Sequence, residues 1–265
     1  MKIIKKLLRN LFNFYAQVNV SPLDRLVYLG SKYNGYYVPD NYLDNSSICY
    51  CIGAGSDISL DVELVTRYAA QVFILDPMPY ALDHFDELVT KTHQGQKLTT
   101  DRLDYPYVYD ISSAQLSKIE FVKIGVWNEK KTIKFYFPAK EDYAGHSITN
   151  LQNTDKYIEG DVDTLSNIMQ ALGHSHIDLL KIEIEGAEYT VIDNVIGEKI
   201  DVKIILVEFD EYHHREGKNL ATLRRIKKSS DKILDAGYKL VHTSSYYKKT
   251  FVRKDVFEML RRASN

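Results

Sequence analysis

The sequence predicts an α/β fold, a mostly parallel sheet with helices on both faces and a closing antiparallel strand. Three observations carry that expectation. A short apolar run at 48–52 enters a Gly-x-Gly turn, then a helical pattern, then a second apolar run at 71–75. Later apolar runs are again separated by helix-length segments, and parallel strands need such crossovers, which are right-handed when they return to the same sheet. The last two strand patterns, 238–242 and 250–253, flank the polar turn Ser244-Ser245-Tyr246-Tyr247, which suits antiparallel pairing.

The elements follow in order. Residues 1–15 place Ile3, Ile4, Leu7, Leu8, Leu11, Phe12 and Tyr15 at helical spacing between Lys2, Lys5, Lys6 and Arg9. Signal peptides share that basic start, but Asn10, Asn13, Gln17 and Asn19 interrupt the apolar stretch and no small-residue cleavage site follows. The expectation is a cytoplasmic chain whose first helix packs on the domain or in a dimer contact. The functional alternative is peripheral attachment to the inner face of a membrane, where anionic lipid favours Lys and Arg. No window reaches the roughly 18 apolar residues of a membrane span. Residues 20–46 are turn-rich, with Ser21-Pro22, Gly30, Asn34-Gly35, Pro39 and Asn45-Ser46, so 1–46 reads as a helix and cap before a main domain, 47–265.

Within that domain a helix is expected over 57–70, where Leu60, Leu64, Val65 and Tyr68 recur and Asp57 or Ser59 can cap the first N–H groups. The alternation is less regular through 78–118. A strand follows over 121–126, then an edge strand over 132–137 in which Ile133, Phe135 and Phe137 alternate with Thr132, Lys134 and Tyr136. A polar loop with Tyr143, Gly145, His146 and Ser147 leads to an amphipathic helix over 163–172, stopped by Gly173. The strongest central strand is 177–184; 186–196 reads as helix, 203–209 as strand and 220–237 as a long helix. The basic final segment reads as a solvated terminal turn.

Composition narrows the function classes. The 265 residues are 45% apolar and 26% charged, which excludes a disordered or fibrous chain. With 34 Lys plus Arg against 36 Asp plus Glu, the net charge of −2 offers no electrostatic case for nucleic acid. Cys49 and Cys51 fall on one face of a strand, too far apart for a disulfide, and read as reduced core residues. No metal is expected: His213-His214 with Glu208, Asp210 and Glu211 lacks the ligand spacing of a recognised closed site.

Chemistry concentrates in two clusters. In Gly53-Ala54-Gly55-Ser56-Asp57 the glycines permit a tight turn and close approach of a ligand, while the next helix presents free N–H groups. Asp76 ends the following strand, 23 residues after Gly53, near the spacing at which an acidic residue accepts bonds from a bound ribose. The joint pattern points to a nucleoside-containing ligand; the plainer alternative is that the glycines only shape the turn. Ile58 stands where a dinucleotide fingerprint has its third glycine, and no Gly-Lys-Ser/Thr follows, so ATP is not expected. In the second cluster, 177–188, an extended backbone puts Lys181, Glu183 and Glu185 on one face at the carboxyl end of a central strand. Charges there cost desolvation unless they pair or meet a ligand, and ligands of parallel sheets lie at that end. A structural Lys–Glu pair at the rim is the alternative.

With these residues the sequence resembles the FkbM-type branch of the S-adenosylmethionine-dependent methyltransferases. The resemblance rests on 50–59, Ile74-Leu75-Asp76-Pro77, Ile124-Gly125-Val126-Trp127, Gly145-His146-Ser147, Val162-Asp163-Thr164-Leu165 and above all the block Leu179 to Tyr189, with Gly35 to Pro39 and Val207-Glu208-Phe209 as lesser features. It implies a Rossmann-like class I methyltransferase with a seven-stranded sheet, binding S-adenosylmethionine and methylating an oxygen. By resemblance Gly53, Gly55, Asp57, Asp76 and Gly125 contact the cofactor. The usual Asp of the second block is Glu183 here, one methylene longer.

The implied acceptor is a small molecule, nucleotide-sugar or glycan, as in surface polysaccharide or natural-product biosynthesis. For a neutral hydroxyl a base must take the proton, and His146, in its polar loop, is the candidate, with Glu183 and Glu185 orienting the acceptor. For an anionic, phosphate-like acceptor no base is needed, and Lys181 or nearby Arg and His residues would hold the charge. The segment Asp76-Pro77-Met78-Pro79-Tyr80 has a superficial likeness to the Asp-Pro-Pro-Tyr signature of DNA adenine methyltransferases but follows the second strand, away from an acceptor site. A non-catalytic adenosine-ligand module and an NAD-dependent oxidoreductase are the competing classes.

Overall fold

The structure, a computed structural model, describes residues 20–100, 106–139, 145–213 and 219–263. The strands in chain order are β1 (Leu26–Leu29), β2 (Tyr36–Pro39), β3 (Ile48–Ile52), β4 (Gln71–Leu75), β5 (Leu98–Thr100), β6 (Tyr107–Tyr109), β7 (Ile119–Val122), β8 (Gly125–Val126), β9 (Lys131–Tyr136), β10 (Tyr157–Asp163), β11 (Ile177–Ile182), β12 (Val202–Glu208), β13 (Tyr238–Thr243) and β14 (Lys248–Arg253). Seven of them form one sheet in the order β13-β14-β12-β11-β3-β4-β7. From β7 to β12 every pairing is parallel, whereas β14 runs against both β12 and β13, so the sheet is mixed rather than purely parallel. β3 leads to β4 on one side and β11 to β12 on the other. The carboxyl ends of β3 and β11 therefore flank the crevice where the winding reverses.

Period-two alternation sorts the central strands onto two cores. Cys49 and Cys51 pack with Leu179 and Ile204 on one face, and Tyr50 and Ile52 with Leu180 and Ile205 on the other. Both thiols are buried and unbridged. The helix Ser59–Tyr68 buries Leu60, Val62, Leu64 and Val65 against the first core and stops where Ala69 turns left-handed. Pro79–His93, Leu165–Leu172, Glu188–Gly197, Leu220–Asp235 and Lys254–Arg262 are the other long helices.

Several expectations change. The strand over 121–126 breaks after Val122, where the Ile124 N–H turns back to the Val122 carbonyl at 2.7 Å. Ile119–Val122 stays in the main sheet, and Gly125–Val126 leaves for a second sheet, β8-β10-β9. The edge strand of 131–136 belongs to that second sheet, paired with β10, whose polar residues Glu159 and Asp161 hid it from the hydrophobic pattern. The helix expected from 163 begins at Leu165, with the Thr164 side chain accepting the Asn167 N–H as its cap. The turn-rich segment contains the antiparallel pair β1 and β2.

The final segment is no solvated turn: Lys254–Arg262 buries Val256, Phe257 and Leu260 at helical spacing. The helix expected over 1–15, with its packing or membrane role, lies outside the described residues. Among the described residues no helix is long and apolar enough to cross a membrane.

Candidate functional site

At the carboxyl ends of β3, β4 and β11 lies an open cleft of about 880 Å³. Gly53, Gly55, Asp57, Asp76, Gly125, His146, Glu183 and Glu185 all line it. Of the residues singled out in the sequence, Lys181 alone is beneath it, in the core.

The glycine turn is built from its neighbours. Gly53 donates to the Leu75 carbonyl at 3.0 Å and has φ +85°, and a Cβ there would lie 1.8 Å from the Glu183 carbonyl oxygen. Packing of β3 on the end of β11 thus demands this glycine before any ligand does. Gly55 differs: it lines the cleft with φ +56°, and a Cβ there would meet nothing within 4 Å. Asp76 braces the turn, one oxygen accepting the Ala54 and Gly55 N–H groups at 2.9 and 3.2 Å and the other the Met78 N–H at 2.8 Å. Burial pushes its carboxyl upward against the pull of those three amides. Asp57 is buried, accepting the Ser31 hydroxyl at 2.5 Å and the Ser59 N–H at 3.0 Å. It ties the loop after β1 to the start of the helix. Asn34 Oδ1 and Ser56 Oγ, both on cleft-lining residues, are buried without a hydrogen-bond partner.

The second cluster departs from its expected geometry. β11 ends at Ile182, and Glu185 takes a left-handed conformation, φ +54°, so the three charges do not continue along one strand face. Lys181, 1% exposed, donates to the Gly53 carbonyl at 2.6 Å and pairs with Glu183 at 3.2 Å. Burial opposes its charge, but Glu183 and Asp61 outweigh it and hold Lys181 above the ordinary lysine range. Burial raises Glu183 against the opposing pull of Lys181. Glu185 is fixed by its backbone, its N–H donating to Asp210 and its carbonyl accepting the Ser147 hydroxyl at 2.7 Å. The loop carrying His146 is thereby tied to the end of β11. The His146 ring stacks on Tyr80 at 5.0 Å and meets Phe137 edge-on at 4.4 Å, which places it over the β4 side of the cleft.

Two acidic residues that the sequence reading named but gave no place in the site prove to be buried at it. Glu188, fully buried, accepts the Ile184 and Gly186 N–H groups at 3.0 Å each. Burial pushes its carboxyl up to about 7. Asp210, just past β12, is raised well above the carboxylate range by burial and by Glu188, Glu185, Glu183 and Glu208. The sequence offered Asp210 only as a member of a rejected metal cluster; nothing in its spacing shows that it borders the cleft. Tyr33, Asn34 and Tyr80 were equally illegible, since the loop after β1 and the first turn of the helix Pro79–His93 bring them in. A second cavity, about 1280 Å³ with its open mouth, adjoins the first and shares Tyr33, Glu183, Glu185 and Asp210 with it.

The profile of the Methyltransferase FkbM domain matches residues 38–240. No curated protein matches the chain. Among solved structures, methyltransferase FkbM from Methylobacillus flagellatus KT is similar at 12% identity and TM-score 0.47, over 80% of this chain and 44% of that one. The chain therefore spans less than half the length of that relative. Precorrin-6y C5,15-methyltransferase from Geobacter metallireducens GS-15 is similar at 14% identity and TM-score 0.36, over 80% and 84% of the two chains. The fibrillarin pre-rRNA processing protein of Methanococcus jannaschii follows at 9% and 0.38, over 89% and 86%.

Proposed function

The chain belongs to the FkbM-domain methyltransferases, and from that premise we propose that it transfers a methyl group from S-adenosylmethionine to an oxygen of a small or glycan-linked acceptor in the cytoplasm. The observation that carries the cofactor half is the pair of orphaned buried polar atoms, Asn34 Oδ1 and Ser56 Oγ, beside a glycine whose missing side chain leaves open space. What sets these two apart from the chain's other unpaired buried polar atoms is that both belong to residues lining one side of the cleft, where a polar ligand would supply their partners. Asp76 and the Gly53 to Asp57 turn hold the ribose and methionine ends in this reading, and Gly125 lines the cleft beside them, its missing side chain required by Val162 packed against it.

When bound, S-adenosylmethionine supplies an electrophilic methyl on a sulfonium. The chain's own residues align and enclose: Glu183 and Glu185 orient the acceptor hydroxyl, His146 takes its proton, and Lys181 fixes Glu183 and the Gly53 carbonyl from below. Asp210 is the competing proton acceptor, favoured by its place on the border of both cavities.

Calorimetry with S-adenosylmethionine and with NAD tests the cofactor: binding of the first alone supports the reading, and binding of NAD in its place replaces it with a dehydrogenase. A labelled-methyl screen over sugar, lipid, protein and nucleic-acid fractions tests the acceptor. Label confined to nucleic acid would overturn it, and tight binding with no acceptor-dependent turnover would indicate a binding module.

A further inference from the structure

We propose, resting on the methyl-transfer reading, that the loop between β1 and β2 completes the cofactor site and that Asn34 Oδ1 receives the α-ammonium group of the cofactor's methionine end. Asn34 precedes the matched domain, which begins at residue 38, so the family match assigns it nothing. The side chain is 5% exposed and lines the cleft. Its Nδ2 donates to the Asp57 carbonyl at 3.3 Å, and because a carbonyl only accepts, Oδ1 is fixed as the atom left over. Oδ1 is buried with no hydrogen-bond partner among the described residues, so the group that completes it must be a donor.

The loop is set before any ligand arrives. The N–H groups of Tyr33 and Asn34 donate to Ser31 Oγ at 3.1 and 3.0 Å, and the Ser31 hydroxyl donates to Asp57 at 2.5 Å. The Ser31 N–H donates in turn to Ser59 Oγ at 2.7 Å. Asn34 is thus latched to the start of the helix Ser59–Tyr68, and a ligand that uses Oδ1 has little ordering to do.

The covalent order of the cofactor decides among its donors, which are the adenine amine, the ribose hydroxyls and the ammonium group. With the ribose at Asp76, on the end of β4, the adenine lies on the far side of the ribose from the sulfur. The sulfur must face Glu183 and Glu185 if its methyl is to reach an acceptor held there. The amino-acid end then falls on the flank built by Asn34, Ser56 and Asp57. The buried Asp57 carboxylate, met by the neutral Ser31 hydroxyl and Ser59 N–H, favours a cation on that flank. Ser56 Oγ, the other orphaned atom, can donate to the carboxylate of the same amino-acid group.

The test is calorimetry on the full chain with three ligands: S-adenosylhomocysteine, its decarboxylated analogue, which keeps the ammonium group, and its deamino analogue, which keeps the carboxylate. The wild type should bind the deamino analogue roughly tenfold or more weaker than S-adenosylhomocysteine. Asn34→Ala should lower affinity for S-adenosylhomocysteine and for the decarboxylated analogue by a similar factor and leave the deamino analogue unchanged. Ser31→Ala keeps Asn34 but frees its loop, and it should reproduce that selective loss in milder form, which keeps the proposal open to refutation should Asn34→Ala fail to fold. Equal wild-type affinity for S-adenosylhomocysteine and the deamino analogue overturns the inference. So does a folded variant that loses all three ligands alike, since the ribose or adenine would then be the partner, or one that loses none. Failure of the wild type to bind S-adenosylhomocysteine strikes the methyl-transfer reading itself, and this inference falls with it.

Discussion

Lys181 donates a hydrogen bond to the Gly53 carbonyl at 2.6 Å, joining two motifs that lie 128 residues apart. The same ammonium holds Glu183, so the glycine turn and the acidic block share one buried cation. Its removal leaves a buried carboxylate unpaired and a carbonyl without its donor. Lys181→Met should therefore lower stability by about 3–5 kcal/mol in urea unfolding. A loss under about 1 kcal/mol would show that the pair contributes little.

The two glycines of the turn should fail in different ways. Gly53→Ala puts a methyl onto the Glu183 carbonyl at a positive φ and should abolish folding or cost several kcal/mol. Gly55→Ala meets no atom and should cost only about 1–2 kcal/mol for its left-handed backbone. Its methyl occupies cleft space, so cofactor affinity should fall tenfold or more. Thermal melts and calorimetry on both variants separate structure from binding; equal melting temperatures would contradict the contrast.

His146→Ala is expected to lower kcat by roughly 10² to 10⁴ with cofactor affinity unchanged, because a proton acceptor acts only as the acceptor oxygen attacks. A variant that loses affinity but keeps kcat would make the ring a wall beside Tyr80 and Phe137. In that case Asp210→Asn should show the turnover defect, together with loss of the acid limb of the pH profile.

Glu188 makes stability pH-dependent in the less usual direction. Its folded value of about 7 lies above the ordinary glutamate range, so the folded state binds the proton more tightly. Its stabilising contribution is complete below that ordinary range and is lost as pH rises through about 7. Wild type should lose stability relative to Glu188→Gln between about pH 4.5 and pH 8, by on the order of 3 kcal/mol. Urea midpoints of both proteins across that range check it; a constant difference would refute the buried, protonated carboxyl.

Much of the fold follows from local pattern. The apolar runs at 48–52 and 71–75, the strand pattern at 177–182 and the periodic helices each report burial that neighbouring residues impose, and the glycine turn and Asp76 stand at fixed offsets from those strands. Elements whose burial is partial were hidden: β10, the middle strand of the second sheet, carries charges on an exposed face, and the short pair β1 and β2 sits among turn residues.

The sequence by itself determined the chemistry of the two clusters and the strand ends that carry them, because spacing along a strand or turn is a local property. Only the tertiary structure decided that Lys181 serves Gly53 from below, that Glu185 bends out of the strand line, and that Asp210, Asn34 and Tyr33 enter the cleft. Those facts depend on loops folding over the carboxyl ends of β3, β11 and β12. Nothing in the spacing of residues hundreds of bonds apart encodes which of them the packed sheet will bring within hydrogen-bond reach.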